Sequence, residues 1–180
     1  MKSLSFFLLL AGILLTGCGS KELSKDEAIQ LLKKEKGYPR AIDRSIFCRD
    51  QGHAKMVFAA GLEKSGMVTI NEGLSLRDVI AKEPIIKFTD KAKPYLLPTT
   101  EEDSKDKIQR VKLAEEEIVE VTSIISDKDS KTVTVNYTTH YSNLTPFAVL
   151  ATTKLDVTTK ENTATFALSD ENGWILQKRN

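Results

Sequence analysis

From Thr132 to Tyr141 the side chains alternate strictly. Val133, Val135, Tyr137 and Tyr141 fall on one side, and Thr132, Thr134, Asn136, Thr138 and His140 on the other. A β-strand turns successive side chains to opposite faces, so this period of two predicts a strand with one face in a core and one in water. Parallel sheets are covered on both faces. The pattern therefore demands an antiparallel sheet with one wet face, and an apolar layer under the other.

The neighbouring segments fit such a sheet. Val119, Val121 and Ile125 alternate with Glu120 and Thr122, and Asp127-Lys128-Asp129-Ser130 supplies a polar turn into the strand just described. A second hairpin pairs Ala164–Leu168 with Trp174–Leu176 across Asp170-Glu171-Asn172-Gly173, and Asn-Gly is a strong hairpin signal. Between the hairpins, Thr145-Pro146-Phe147-Ala148-Val149-Leu150 reads as a helical turn packed on an end of the sheet. Residues 108–180 are thus expected to form an antiparallel β half of about four strands.

The chain before this is helical in pattern. Ser24-Lys25-Asp26-Glu27 matches a capping box, in which the hydroxyl bonds the third helical amide and the glutamate reaches back. Ala28, Leu31 and Leu32 make one apolar stripe, Lys33, Lys34 and Lys36 suit the C-terminal end of the dipole, and Gly37-Tyr38-Pro39 stops the helix. A second helix is expected over about 52–65, with Ala54, Val57, Phe58, Gly61 and Leu62 on its buried face and Gly66 as its left-handed cap. Pro39–Phe47 reads as extended. Met67–Ile70 and Pro84–Phe88 have strand character, and Thr89-Asp90 caps a turn that Pro94 shortens. The run 99–107 (TTEEDSKDK) lacks large apolar side chains and is expected to be an exposed linker. The fold class is therefore α+β, with a helical half at 24–98 carrying short wing-like strands, and the β half at 108–180.

The chain has 180 residues, 26 Lys+Arg against 25 Asp+Glu, and 41% hydrophobic residues. That is ordinary globular composition, and the near-zero net charge argues against nucleic acid as a partner. Its start is not ordinary. Met1-Lys2-Ser3 places one positive charge before an almost wholly apolar run, Leu4–Leu15, which ends in Thr16-Gly17-Cys18. The order of charged region, apolar core and small residues is that of a signal peptide. The run is too short for a span of about 20 residues.

Leu15-Thr16-Gly17-Cys18 resembles a bacterial lipobox. The resemblance implies cleavage of residues 1–17, a diacylglycerol on the Cys18 thiol, and often an acyl chain on the new amine. Cys18 is then the lipid attachment site, with 18–23 as a short lipidated tether and the lipid bilayer as a partner; ordinary secretory cleavage leaving Cys18 a thiol is the alternative. The location implied is the cell membrane, or in a diderm the outer membrane facing the periplasm, because Gly19 rather than aspartate follows Cys18. Loss of Lys2 with the leader balances the side-chain charges of the remainder, so attachment rests on lipid and not on a basic patch.

The layout of helix, helix, strand (GLEKSGMVTI) and short strand with capped turn (PIIKFTDKAKPYLL) resembles a winged-helix half over about 24–97. The extended stretch from Pro39 to Phe47 departs from that family. Winged helices often bind DNA, but Lys55, Lys64 and Lys82 do not cluster, so no nucleic-acid partner is expected. The arrangement from GYP through VTVNYTTHYSNLTPFA to the final GWIL is similar to small uncharacterised bacterial envelope lipoproteins, which imply no particular activity.

Catalytic patterns are missing: no G-x-S-x-G, H-E-x-x-H, P-loop or G-x-G-x-x-G occurs. Cys48, Asp50 and His53 lie within six residues, too few for a zinc site without further ligands. With Cys18 lipidated, Cys48 is a buried small hydrophobe, an intermolecular cysteine or a reactive thiol, and Ile46-Phe47 beside it favour burial. Glu115-Glu116-Glu117 is expected to be a solvated edge. No enzyme, metal or cofactor is expected. The reading is an anchored, non-catalytic interaction or structural module of the envelope, with the Thr132, Thr134, Asn136, Thr138 and His140 face as its expected surface for another envelope protein. The alternative is a carrier of a small or lipid-like ligand in a cavity between sheet and helices.

Overall fold

A computed structural model describes residues 22–71, 73, 83–127, 131–155 and 158–177. The leader, Cys18, the tether up to residue 21 and the turn residues 128–130 lie outside the described residues.

Ser24 caps α1 (Lys25–Lys36) by accepting from the Glu27 amide, and Gly37 ends it at φ 70°. The chain then extends as β1 (Arg40–Phe47). Asp50 caps α2 (Gln51–Ala59), which is shorter than the expected 52–65. The reason is local: Gly61 adopts φ 74° and takes the left-handed position before Gly66 does. A two-stranded ribbon follows, β2 (Val68–Ile70) against β3 (Ile86–Phe88), then a 3-10 turn over Asp90–Tyr95 containing Pro94. The expected linker contains a single-turn helix, α3 (Glu101–Lys105), held by a capping box between Thr100 and Asp103. Thr100 and Asp103 supply both halves of that box, so a charged run without apolar residues still folds into a turn.

The rest is one sheet: β4 (Ile108–Asp127), β5 (Thr132–Ser142), β6 (Lys160–Ser169) and β7 (Gly173–Leu176), with a 3-10 turn at Pro146–Leu150. The strand order is β1-β4-β5-β6-β7, all antiparallel. The architecture is α+β, with five strands where about four were expected. The fifth is β1, drawn from the stretch between the two helices, so the sheet takes strands from both sides of 99–107. The winged-helix arrangement is not formed as a packed unit: α1 and α2 belong to different hydrophobic clusters.

Register explains how one face of a twenty-residue strand stays buried. Three irregularities interrupt β4: opposite Ile42/Asp43, between Ile118 and Glu120, and between Val121 and Ser123. Each inserts one unpaired residue, which shifts the period-two pattern. Val111, Ala114, Ile118, Val121 and Ile124 therefore share a face with Tyr137 and Val135 of β5. Val119 and Ile125, expected to point inward with Val121, are instead 44% and 58% exposed. A simple alternation read through Val119–Ile125 misses the two bulges within it.

That face carries two clusters. Ile46, Val57, Met67, Ile86, Val111 and Phe147 lie among the residues beneath α2 and the ribbon. Leu23, Leu32, Val121, Tyr137, Phe166 and Trp174 lie among those beneath α1. Burial of aromatic side chains dominates such cores. Phe166→Ala is expected to lower unfolding free energy by about 3–5 kcal/mol, and Ile125→Ala by less than about 0.5 kcal/mol, both read from urea titrations. Similar losses for the two would contradict the register.

Candidate functional site

The face opposite the clusters is the open one, and pairing maps it row by row. Ile125, Thr134 and Thr165 form one row; Asp127, Thr132, Ala167 and Ile175 form the next. In the row above, Asn136 donates to Ser123 Oγ at 2.9 Å and Thr163 donates to Asn136 Oδ1 at 3.0 Å, tying three strands together. Higher still, Thr138 lies between Glu120 of β4 and Glu161 of β6, and His140 faces Glu117.

Thr132, Thr134, Asn136, Thr138 and His140 thus do share a face. They are not uniformly solvated, however: Thr132, Thr134, Asn136 and His140 are half-buried, and Thr138 is only 9% exposed. The Thr138 hydroxyl is buried with no hydrogen-bond partner. Unpaired buried hydroxyls are uncommon, because losing water without replacement costs about 1–3 kcal/mol. The polar alternation is visible in the sequence; the burial of Thr138 at its upper end is not.

Between the two clusters on the covered face lies a polar network. Glu116, expected on a solvated edge, is 1% exposed. Arg40 grips its Oε2 through Nη2 at 2.5 Å and Nε at 2.7 Å, and Thr139 donates to Oε1 at 2.8 Å. Asn162 in turn donates to Thr139 Oγ1 at 2.9 Å. Tyr38 packs edge-on against Tyr137, their centroids 6.3 Å apart, and Lys36 donates to the Tyr137 hydroxyl at 2.8 Å. Burial, reinforced by the hydrogen bond to Tyr137, holds the Tyr38 hydroxyl well above the ordinary phenol range. The three consecutive glutamates part company: Glu115 pairs with Lys112 and Asn143, and Glu117 accepts from Ser142. The signal that separates them is the strand period, which turns the middle residue inward.

Cys48 and His53 do not form a dyad. The thiol is 6% exposed and donates to the Ile46 carbonyl at 3.6 Å. His53 Nδ1 instead accepts from the Phe47 amide at 3.2 Å, and Asp50 is committed to the cap of α2. Burial pushes the thiol from its ordinary 9.0 up to about 11, so it is protonated at neutral pH and a poor nucleophile. Cys48 also lines an open cleft of about 310 Å³ between the ribbon, α3 and the start of β4, with Lys87, Thr99, Ser104 and Lys107 among its polar lining. Among the described residues, no group of three or more His, Cys, Asp or Glu is arranged to hold a metal ion.

Comparison with protein-family models, curated proteins and solved structures returns no match for the chain.

Two outcomes are expected from this chemistry. Arg40→Ala leaves the Glu116 carboxylate buried without its cation and should cost about 3–5 kcal/mol. Glu116→Gln should cost less, because Arg40 is 47% exposed and can turn to water; equal costs in denaturant titration would contradict the asymmetry. Cys48 should resist a disulfide-exchange reagent at pH 8 until the chain is unfolded. Its folded-state value is raised, so its contribution is full below pH 9 and is lost as pH rises toward 11. Stability should therefore fall more steeply over that range for the wild type than for Cys48→Ala, and parallel pH profiles would refute it.

Proposed function

We propose that the chain is a lipid-anchored protein of the bacterial cell envelope that acts without catalysis, as an interaction or structural module held at the membrane by Cys18. The observation that carries this reading is the order of its first residues: one lysine, an apolar run, then Leu15-Thr16-Gly17-Cys18. Two or three acyl chains, each CH2 contributing about 0.8 kcal/mol when buried in lipid, make such an anchor stable where one chain alone is marginal. No helix among the described residues is long and apolar enough to cross a membrane.

The tether bears on how the domain is held. From Cys18 to Leu23 the chain reaches at most about 3.5 Å per residue, roughly 15–20 Å in all. Leu23 packs with α1 against the covered face of the sheet, so the root of the tether does not occupy the open face. The Thr132–His140 face remains available to another envelope protein. In a diderm, Gly19 after Cys18 favours the outer membrane, with the domain in the periplasm.

The carrier alternative draws on the cleft beside Cys48. Its volume sits at the lower end of small-ligand sites, about 300–1,000 Å³, and it lies at the ribbon instead of between the sheet and α1.

Mass spectrometry of membrane-fraction protein tests the anchor. The expected species begins at Cys18 and carries diacylglycerol, and Cys18→Ser releases the protein from the membrane fraction. An unmodified thiol at Cys18 in membrane-bound protein would overturn the proposal.

A further inference from the structure

We infer that the cleft beside Cys48 takes the C-terminal end of an extended peptide, which adds as a strand to the free edge of β3 with its carboxylate at Lys107. This rests on the reading of the chain as an interaction module and names the chemistry of a partner for it.

The free edge follows from the ribbon's own pairing. Val68, Thr69 and Ile70 face Phe88, Lys87 and Ile86 in antiparallel register. Just outside these pairs, the Asn71 amide donates to the Ile85 carbonyl at 2.8 Å and the Thr89 amide to the Met67 carbonyl at 3.1 Å. Antiparallel ladders alternate bonded and non-bonded pairs. Ile85, Lys87 and Thr89 therefore turn their backbone groups toward β2, and Ile86 and Phe88 turn theirs away. The Ile86 amide shows where they point: it donates to the Cys48 carbonyl at 2.9 Å. The Ile86 carbonyl and both backbone groups of Phe88 have no hydrogen-bond partner among the described residues. Both residues line the cleft, which is open to solvent. A strand edge of this kind is a template for another strand.

The surroundings limit what that strand can be. Cys48 already holds the Ile86 amide, so pairing stops there and the incoming chain ends at that point. The end is a carboxylate and not an amine, because Lys87 and Lys107 line the cleft and no acidic side chain does. Lys107 has no ion-pair partner among the described residues. Its charge is close enough to oppose the rise in the Cys48 thiol pKa. It also stands at φ 58°, a left-handed position where glycine is at ease. Thr99 and Ser104 add hydroxyl donors to the lining. The volume of about 310 Å³ holds about ten non-hydrogen atoms at ~30 Å³ each. That is a terminal residue the size of valine with the peptide unit before it, and Pro84 and Ile108 give it apolar walls. The bound chain runs antiparallel to β3. Its last residue donates to the Ile86 carbonyl, the third from the end exchanges both bonds with Phe88, and the amide between them points away. Main-chain bonds supply affinity in this mode, and capture of the end group supplies specificity.

The test uses the full lipidated chain in nanodiscs of neutral phosphatidylcholine, with the fluorescein-labelled peptide Gly-Ser-Thr-Ser-Val read by anisotropy. The free acid should bind saturably, and the C-terminal amide about tenfold or more weaker, since a hydrogen bond to a charged group is lost. N-methylation of the threonine, third from the end, should weaken binding severalfold; N-methylation of the serine after it should not. Lys107→Gln should weaken the free acid severalfold and leave the amide unaltered. Lys107→Gly should weaken the acid equally while its urea midpoint stays at or above that of the wild type, which separates loss of the ammonium from damage to the fold. Lys105→Gln, an equal charge change on α3 outside the cleft, should leave affinity unaltered. Equal affinity for acid and amide, equal loss at the two methylation sites, equal loss in Lys105→Gln, or no binding would overturn the inference.

Two further outcomes separate this inference from the readings beneath it. A photo-crosslinking residue at Thr99 that captures a protein in cells, with a yield unchanged by Lys107→Gln, would retain the interaction module but end recognition of a carboxylate. Octanoate binding as tightly as the peptide would end the peptide and leave the carrier alternative. Crosslinks to nothing, together with no peptide binding, would end both the inference and an interaction at this cleft.

Discussion

The structure depends on β4 and on the way its three irregularities keep one side of a long strand buried. A twenty-residue strand of strict period would carry every second residue inward, whatever lay beneath it. Here the unpaired residues reset the pattern, so that Val111, Ala114, Ile118, Val121 and Ile124 all reach the covered face. Bulges also increase local twist, which suits a strand that must serve α2 and the ribbon at one end and α1 at the other. Both clusters are built on this strand, and so is the polar junction between them.

That junction is where burial is most delicately balanced. Glu116 is nearly inaccessible, yet its carboxylate is gripped twice by Arg40 and once by Thr139. A buried ion pair is weak evidence for net stability, since desolvation offsets much of the attraction. Its clearer effect is positional: Arg40 opens β1, and Tyr38 precedes it, so the pair fixes where the chain leaving α1 joins the sheet. Covering one face so completely leaves the other to solvent, where the Ser123–Asn136–Thr163 ladder is satisfied internally and the Glu120–Thr138–Glu161 row is not.

Much of this was legible in the residues. The β5 alternation, the Ser24 cap of α1, the Asn172-Gly173 hairpin and the burial of Cys48 each follow from local chemistry, and the structure has them. What escaped depends on pairing. Nothing in Val119–Ile125 marks which residue is left out of register, so Ile125 was expected inside. The inward turn of Glu116 requires knowing that Arg40, seventy-six positions earlier, lies opposite it. The extended character of Pro39–Phe47 was readable, whereas its place beside β4 was not. On the open face the polar alternation was visible, but the burial of Thr138 was not, since it depends on tertiary surroundings that a single strand does not reveal.

The central claim is that β4 joins both clusters into one cooperative structure. Differential scanning calorimetry tests it most directly, by comparing the calorimetric with the van't Hoff enthalpy of unfolding. A single transition with a ratio near one is the expected result. Two separable transitions, one for the α2 and ribbon end and one for the α1 end, would contradict it.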